Sequence, residues 1–381
     1  MRAIEAAFQA NFDAGLEAGA SLSVFRDGRE HVALHGGFRD SKRSVPWGDD
    51  TIVLIWSATK GPAAACVLHA MQETGASLDT RVADLWPEFA KAGKDALTLG
   101  HVLSHRAGLY GLEDGAATIL DRDTVVRAIE KQAPLLPVEA GPAYGPRVFG
   151  FLLDEIVRRL AAGESLAHYW RRVFADPLEL DLWIGLPESE HRRTATILAP
   201  KAGKPAPADE AFAKAYANPA SAARRAFTSP AGLGAVSAMN APHIRSAEFP
   251  SMGGIASASA LAKFYAMLAH GGTWNGAVFF KKEALDWMGT RLSAGFDPVL
   301  QKPMSFSAGF MMDPLDGDAR KVRSLLGPSP AAFGHAGAGG SLGFADPDKG
   351  IGFGYVMNQM EIGTLPHGRC LSLVRAVYGE A

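Results

Sequence analysis

Segments with a two-residue hydrophobic rhythm stand near both ends of this chain, and a helical rhythm fills much of what lies between them. Residues 21–25 and 31–34 alternate on either side of Asp27-Gly28, a dipeptide suited to the tight turn of a β-hairpin, and Gly36-Gly37 closes the pair. Toward the C-terminus, residues 306–312, 333–335 and 351–356 read as strands ahead of a closing helix near 369–378. A strand left unpaired exposes a row of N–H and C=O groups, so the economical arrangement joins both ends in one sheet. The expected fold class is therefore α+β: an antiparallel sheet flanked by helices and built from N- and C-terminal segments, with a mainly helical lobe inserted. The boundaries fall at 1–80 and 250–381 for the sheet domain and 81–249 for the inserted lobe.

The change of rhythm comes at Pro62, after which Ala63, Ala64, Val67, Leu68 and Met71 share one helical face, and helical spacing continues to about residue 185. Residues 187–249 are rich in Ala, Pro and Ser and read as long loops with short helices, and helical spacing returns at 258–269. A cleft between two such lobes is where small-molecule pockets form.

Composition narrows the partners. Apolar residues make up 48% and charged residues 20%, a balance that excludes a disordered chain. Lys plus Arg (38) nearly cancels Asp plus Glu (40), which leaves no field for gripping nucleic acid. Cys66 and Cys370 both lie in apolar helical stretches and read as buried free thiols of a reducing compartment. Arg2, Glu5 and Asp13 interrupt the apolar residues of 1–15, unlike a secretory signal, and no run reaches the roughly 18 to 20 apolar residues of a membrane span. We therefore expect a cytoplasmic protein without nucleic-acid or membrane partners. Nothing in the composition sets an oligomeric state.

Ser57-Ala58-Thr59-Lys60 is the strongest local candidate for chemistry. Serine and lysine three apart on a helical turn project from one face, which puts an amine within reach of the hydroxyl it would deprotonate. The tetrapeptide alone arises by chance, but here it follows the apolar run 52–56, where strand meets helix beside a core, and the free amides of a helix start can stabilise an oxyanion. Gly61 and Pro62 are poor helix residues, so a distorted first turn, or a start near Thr59, is expected.

Two rivals are weaker. Gly339-Gly340-Ser341-Leu342-Gly343 fits the nucleophile elbow of α/β-hydrolases, but Asp346-Pro347 and a glycine-spaced strand follow it instead of a helix, which favours a tight strand turn. His101 and His105 have the i,i+4 spacing of a zinc helix, but Val102 stands where a metalloprotease carries its glutamate, which favours structural histidines or a helix cap near Gly108. The dispersed arginine pairs 158–159, 171–172, 192–193 and 224–225 read as solvated faces.

Taken in order and spacing, several segments resemble the serine β-lactamase and penicillin-binding-protein superfamily, in the class C-like branch that includes the family VIII carboxylesterases. They are Ser57-Ala58-Thr59-Lys60, then Leu103-Ser104-His105-Arg106-Ala107-Gly108-Leu109, Tyr144-Gly145-Pro146 ahead of a helix, and Phe333-Gly334-His335-Ala336-Gly337 running into Ala338. Pro177-Leu178-Glu179-Leu180 and Ser251-Met252-Gly253-Gly254-Ile255 add to the match. The resemblance implies a β-lactamase/transpeptidase-like fold and a Ser57 acyl-enzyme. Lys60 and Tyr144 would share the base work, with the proton going to either the lysine or a tyrosinate. The amides of Ser57 and Ala338 would form the oxyanion hole beside Gly337. His335 would donate to the substrate carbonyl or support Tyr144, or serve as a structural imidazole. Neither a metal nor a cofactor is implied.

Two departures bear on substrate. The branch's lactamases carry lysine where His335 stands and asparagine two places after the motif tyrosine, where Pro146 has neither a side-chain amide nor a backbone donor. These losses point to small carboxylic esters. An amidase, a D-amino-acid peptidase or a weak β-lactam hydrolase on the same residues is the alternative within enzymes, and a noncatalytic ligand-binding protein the alternative outside them.

Overall fold

The computed structural model describes residues 2–379. Its strands in chain order are β1 (Gly19–Arg26), β2 (Arg29–Gly37), β3 (Val53–Trp56), β4 (Leu182–Ile184), β5 (Gly254–Ala256), β6 (Thr273–Trp274), β7 (Ala277–Val278), β8 (Ser293–Asp297), β9 (Lys302–Phe306), β10 (Met311–Met312), β11 (Phe333–Ala336), β12 (Leu342–Asp346) and β13 (Ile351–Met357). Eight of them form one antiparallel sheet in the order β2-β1-β13-β12-β11-β10-β9-β8. The N-terminal hairpin turns at Asp27-Gly28, both at positive φ, and β1 pairs with β13 from Ala20↔Met357 to Arg26↔Ile351, so the two chain ends share a sheet as expected.

Alternation along β13 sorts its two faces. Phe353, Tyr355 and Met357 join a core with the terminal helices Arg2–Asp13 and Gly368–Tyr378, whereas Val356 belongs to the larger core on the other face. The helix Ala258–Ala269 lies on that second face, and a Cβ on Gly352 would come 2.3 Å from the Ala266 nitrogen, which explains the glycine spacing of this strand. The helices Lys60–Thr74 and Val148–Leu160 contribute to the same larger core. Cys66 and Cys370 are both buried free thiols. No helix among the described residues is long and apolar enough to cross a membrane.

Two expectations need correction. Residues 306–312 are not one strand: β9 ends at Phe306, residues 307–310 make the turn, and the Ser307 N–H bonds the Phe310 carbonyl at 2.9 Å before β10 begins. The second correction concerns the two histidines and is given with the site. The strand within the apolar run 52–56, β3, pairs with β5, and β5 with β4, in a separate three-stranded sheet.

Candidate active site

β3 delivers Trp56 in an unusual conformation, φ 48° and ψ −131°, which costs a bulky residue about 1–3 kcal/mol and is retained where packing over-determines it. Chain direction changes there. A single 3₁₀ turn, Ser57–Thr59, precedes the α-helix Lys60–Thr74, so both remedies for the Gly61-Pro62 difficulty are used: the first turn is distorted, and Pro62 falls where a helix leaves its N–H groups unpaired. Thr59 locks the turn, its Oγ1 donating to the Trp56 carbonyl at 2.5 Å and accepting from the Gly254 N–H at 2.8 Å.

Lys60 has no exposed surface. Its Nζ lies 2.7 Å from the Ser251 carbonyl, 3.1 Å from the Pro146 carbonyl and 3.2 Å from Ser57 Oγ. Among the described residues no carboxylate forms an ion pair with it, and burial pulls its pKa well below that of a free lysine. A neutral amine has two N–H groups and one lone pair. With two carbonyls, which only accept, taking the two N–H groups, the lone pair is left for the Ser57 hydroxyl. Ser251 is brought there by its own Oγ, which donates to the Arg147 carbonyl at 3.0 Å.

Tyr144 stands close to both Lys60 and Ser57. Its ring centre lies 4.8 Å from Lys60 Nζ, its phenol hydrogen-bonds Ser57, and burial pushes the phenol well above its ordinary pKa, so the hydroxyl keeps its proton. Asp297, at the end of β8, holds this segment from behind: Oδ2 accepts the Tyr144 N–H at 2.8 Å, and Oδ1 accepts those of Val299 and Leu300 at 2.8 and 3.0 Å. Burial raises the Asp297 carboxyl to about 7 against the pull of those three donors.

His101 and His105 do not share a helical face. The helix Leu99–Leu103 ends before His105, which stands at φ 59°. His101 completes a capping box with Thr98, whereas His105 Nδ1 accepts the Gly145 N–H at 3.3 Å with its ring centre 4.2 Å from that of Phe149 and 5.0 Å from that of Tyr144. His105 thus supports the Tyr144 loop. No group of three or more His, Cys, Asp or Glu among the described residues is arranged to hold a metal.

On β11, the face of His335 is that of Phe333, within the core shared with the Lys60 helix. Its Nδ1 is 2.8 Å from the Ala336 carbonyl. A carbonyl only accepts, so Nδ1 carries the hydrogen and Nε2, buried without a partner, is a bare acceptor. Desolvation first, then the nearby Lys60, lowers its pKa to about 3. Donation to a substrate carbonyl would need a proton on Nε2 that this ring does not hold.

Gly337 passes so close to β3 that a Cβ would sit 2.1 Å from the Ile55 carbonyl. The turn carrying Ala338 is thereby pressed beside the turn carrying Ser57. Both Ser57 and Ala338 are partly exposed, while Ala58, Thr59, Lys60, Gly337 and Gly339 are buried, so the opening to solvent lies at these two residues. The rival Ser341 is fully buried and leads into β12, not a helix.

The structure thus gathers Ser57, Lys60 and Tyr144 around one hydroxyl, with Gly337-Ala338 beside it and His335 near Tyr144, the two rings being 6.0 Å apart. Sequence reasoning missed Asp297 and Trp56. A carboxylate that accepts only backbone amides has no spacing signature, and a positive φ on tryptophan has no compositional one.

Comparison with known proteins gives a consistent result. The model of the Beta-lactamase family matches residues 8–367. The esterase/beta-lactamase LipL of Mycobacterium tuberculosis is 31% identical over 360 residues, covering 93% of this chain and 80% of that protein. A penicillin-binding-protein homologue from Caulobacter crescentus has a similar structure, with a TM-score of 0.87 and 36% identity over 99% of this chain and 96% of its own. So has a family VIII carboxylesterase, with a TM-score of 0.87 and 33% identity over the same shares.

Proposed function

This chain belongs to the beta-lactamase family and is a serine hydrolase; on that premise we propose that it cleaves small carboxylic esters through an acyl-enzyme on Ser57. The observation that carries the reading is the partner set of Lys60, two carbonyls and the Ser57 hydroxyl, with no acid to keep the amine charged. Lys60 takes the Ser57 proton as Oγ attacks the ester carbonyl. The developing oxyanion is met by the N–H groups of Ser57 and Ala338. Tyr144, which retains its phenolic proton, hands it to the leaving alkoxide and recovers one directly from the Lys60 ammonium, whose Nζ lies 4.8 Å from the centre of its ring. Water then releases the acid by the reverse relay.

The ester preference is supported by what surrounds the hydroxyl. Pro146 contributes only a carbonyl, already engaged by Lys60, and His335 offers neither a positive charge nor a donor. A substrate amide N–H or carboxylate finds no matching group at these positions. Esterase stands in the description of LipL, an esterase/beta-lactamase, and in that of EstB of Burkholderia gladioli, which is 30% identical over 149 residues, 38% of this chain and 34% of its own. The test is turnover of short-chain p-nitrophenyl esters against D-amino-acid amides and a chromogenic cephalosporin. Esters should dominate, and equal or faster turnover of the other two classes would reverse the assignment. A fluorophosphonate probe should label Ser57; an unlabelled protein would favour a noncatalytic ligand-binding role.

A further inference from the structure

The turn that carries the Ala338 amide is fastened from the far side of the sheet. Within it, Gly337 N–H bonds the Ser341 carbonyl at 2.7 Å and Gly340 N–H bonds the Gly337 carbonyl at 3.2 Å. Gly339 at φ 82° and Gly340 at φ 128° give this loop more backbone freedom than any other pair of residues would, so its direction depends on outside contacts. Beside the close approach of Gly337 to β3, two hydrogen bonds from outside fall on the Gly339 carbonyl: the Glu361 N–H at 3.0 Å and Arg369 Nη2 at 2.7 Å.

Arg369 lies in the first turn of the C-terminal helix, with only 2% of its side chain exposed. Nη2 also reaches the Gln359 carbonyl at 2.5 Å, while Nη1 reaches the Leu16 carbonyl at 2.8 Å and Glu17 Oε2 at 3.0 Å. Glu361 Oε2 is 3.4 Å from Nε, and Glu17 is itself hydrogen-bonded by the Tyr355 hydroxyl. A buried guanidinium is a poor source of stability, since its desolvation offsets most of what pairing returns. What this one does achieve is geometric: four acceptors from three distant segments fix its plane, and one of them is the carbonyl next along the chain from the Ala338 residue.

We propose that Arg369 is a positioning residue for the oxyanion turn, its guanidinium, anchored by Glu17, holding the Gly339 carbonyl and with it the direction of the Ala338 N–H. The inference rests on the reading that Ser57 is acylated and that the Ala338 N–H meets the oxyanion. Lysine in place of Arg369 keeps the charge but cannot span Leu16, Glu17, Gln359 and Gly339 together.

The experiment uses the full chain, with Arg369→Lys, Glu17→Gln and Ser57→Ala each assayed on an aryl ester. Active sites are counted by fluorophosphonate titration, and affinity is measured for a boronic acid that forms a tetrahedral adduct. Arg369→Lys should lower kcat per titrated site about 10-fold, leave KM within about twofold and weaken the boronate in proportion to kcat. Glu17→Gln, which preserves shape, should produce a smaller loss of the same kind, about threefold, and carries the test if Arg369→Lys does not fold. Fewer titratable sites or a lower Tm with unchanged kcat per site and unchanged boronate affinity would make Arg369 merely structural and overturn the inference. Full turnover by Ser57→Ala would instead overturn the Ser57 reading, so the two failures are separable.

Discussion

Lys60 and Lys94 are both fully buried, and both sit among backbone carbonyls, yet their third neighbours differ in kind. Lys94 Nζ is shared by three carbonyls, those of Lys91 at 2.8 Å, Glu130 at 3.1 Å and Gln132. Three acceptors match the three N–H groups of an ammonium, and burial lowers its pKa only to about 8, with Glu130 pulling the other way. Lys60 has two carbonyls, and a hydroxyl takes the third place. On the proposed mechanism that hydroxyl is the group from which the amine removes a proton, and Lys94 has no such neighbour.

The contrast is open to attack by substitution. Lys60→Met should lower kcat by about 10³-fold or more, because the base is gone while the apolar stem is kept, and steady-state ester hydrolysis reads it directly. Lys94→Met should leave kcat per titrated site unchanged but lower unfolding free energy by about 3 kcal/mol, since three carbonyls lose their donor; denaturant titration measures it. If both variants lost activity alike, the distinction between the two lysines would be gone.

Asp297→Asn sharpens the Lys60 side, since it weakens the acceptors that hold the Tyr144 backbone. We expect about a 10-fold loss in kcat with a modest fall in Tm. Protonation separates the lysines further. On the Lys60 side, kcat/KM should fall as pH drops through its lowered pKa, because the charged amine cannot accept the Ser57 proton. On the Lys94 side the effect is on stability. The unfolded chain binds this proton more tightly than the folded one, so unfolding free energy should rise with pH between about 8 and the free-lysine value, a slope that Lys94→Met removes. The smallest effect belongs to His335→Gln. With a pKa near 3 the imidazole does not titrate in the working range, so the substitution should change kcat by less than about fivefold and leave the acid limb in place.

Legibility in the sequence followed the range of the interaction. Ser57 and Lys60 share one helical turn directly after the apolar run 52–56, so spacing together with placement nominated them, and Asp27-Gly28 marked its hairpin by equally local signals. The union of the two chain ends was readable because unpaired strands demand partners. Tyr144, Gly337 and Ala338 became legible only through the order of family motifs, since what brings them to Ser57 is packing between segments more than eighty residues apart. The three-residue strands β4 and β5 were missed because a span so short shows no period. Arg369 and Glu17 meet across 352 positions and carry no pattern that links them. His101 and His105 read as structural histidines and serve as such, but their spacing gave no sign that the helix ends between them.

The acceptors around Lys60 come from residues 146 and 251, on stretches of chain made long after the lysine itself. On the proposed mechanism the base therefore belongs to the finished fold and not to the helical turn that carries the lysine: an amine without those two carbonyls sits in water, where an ordinary lysine holds its proton.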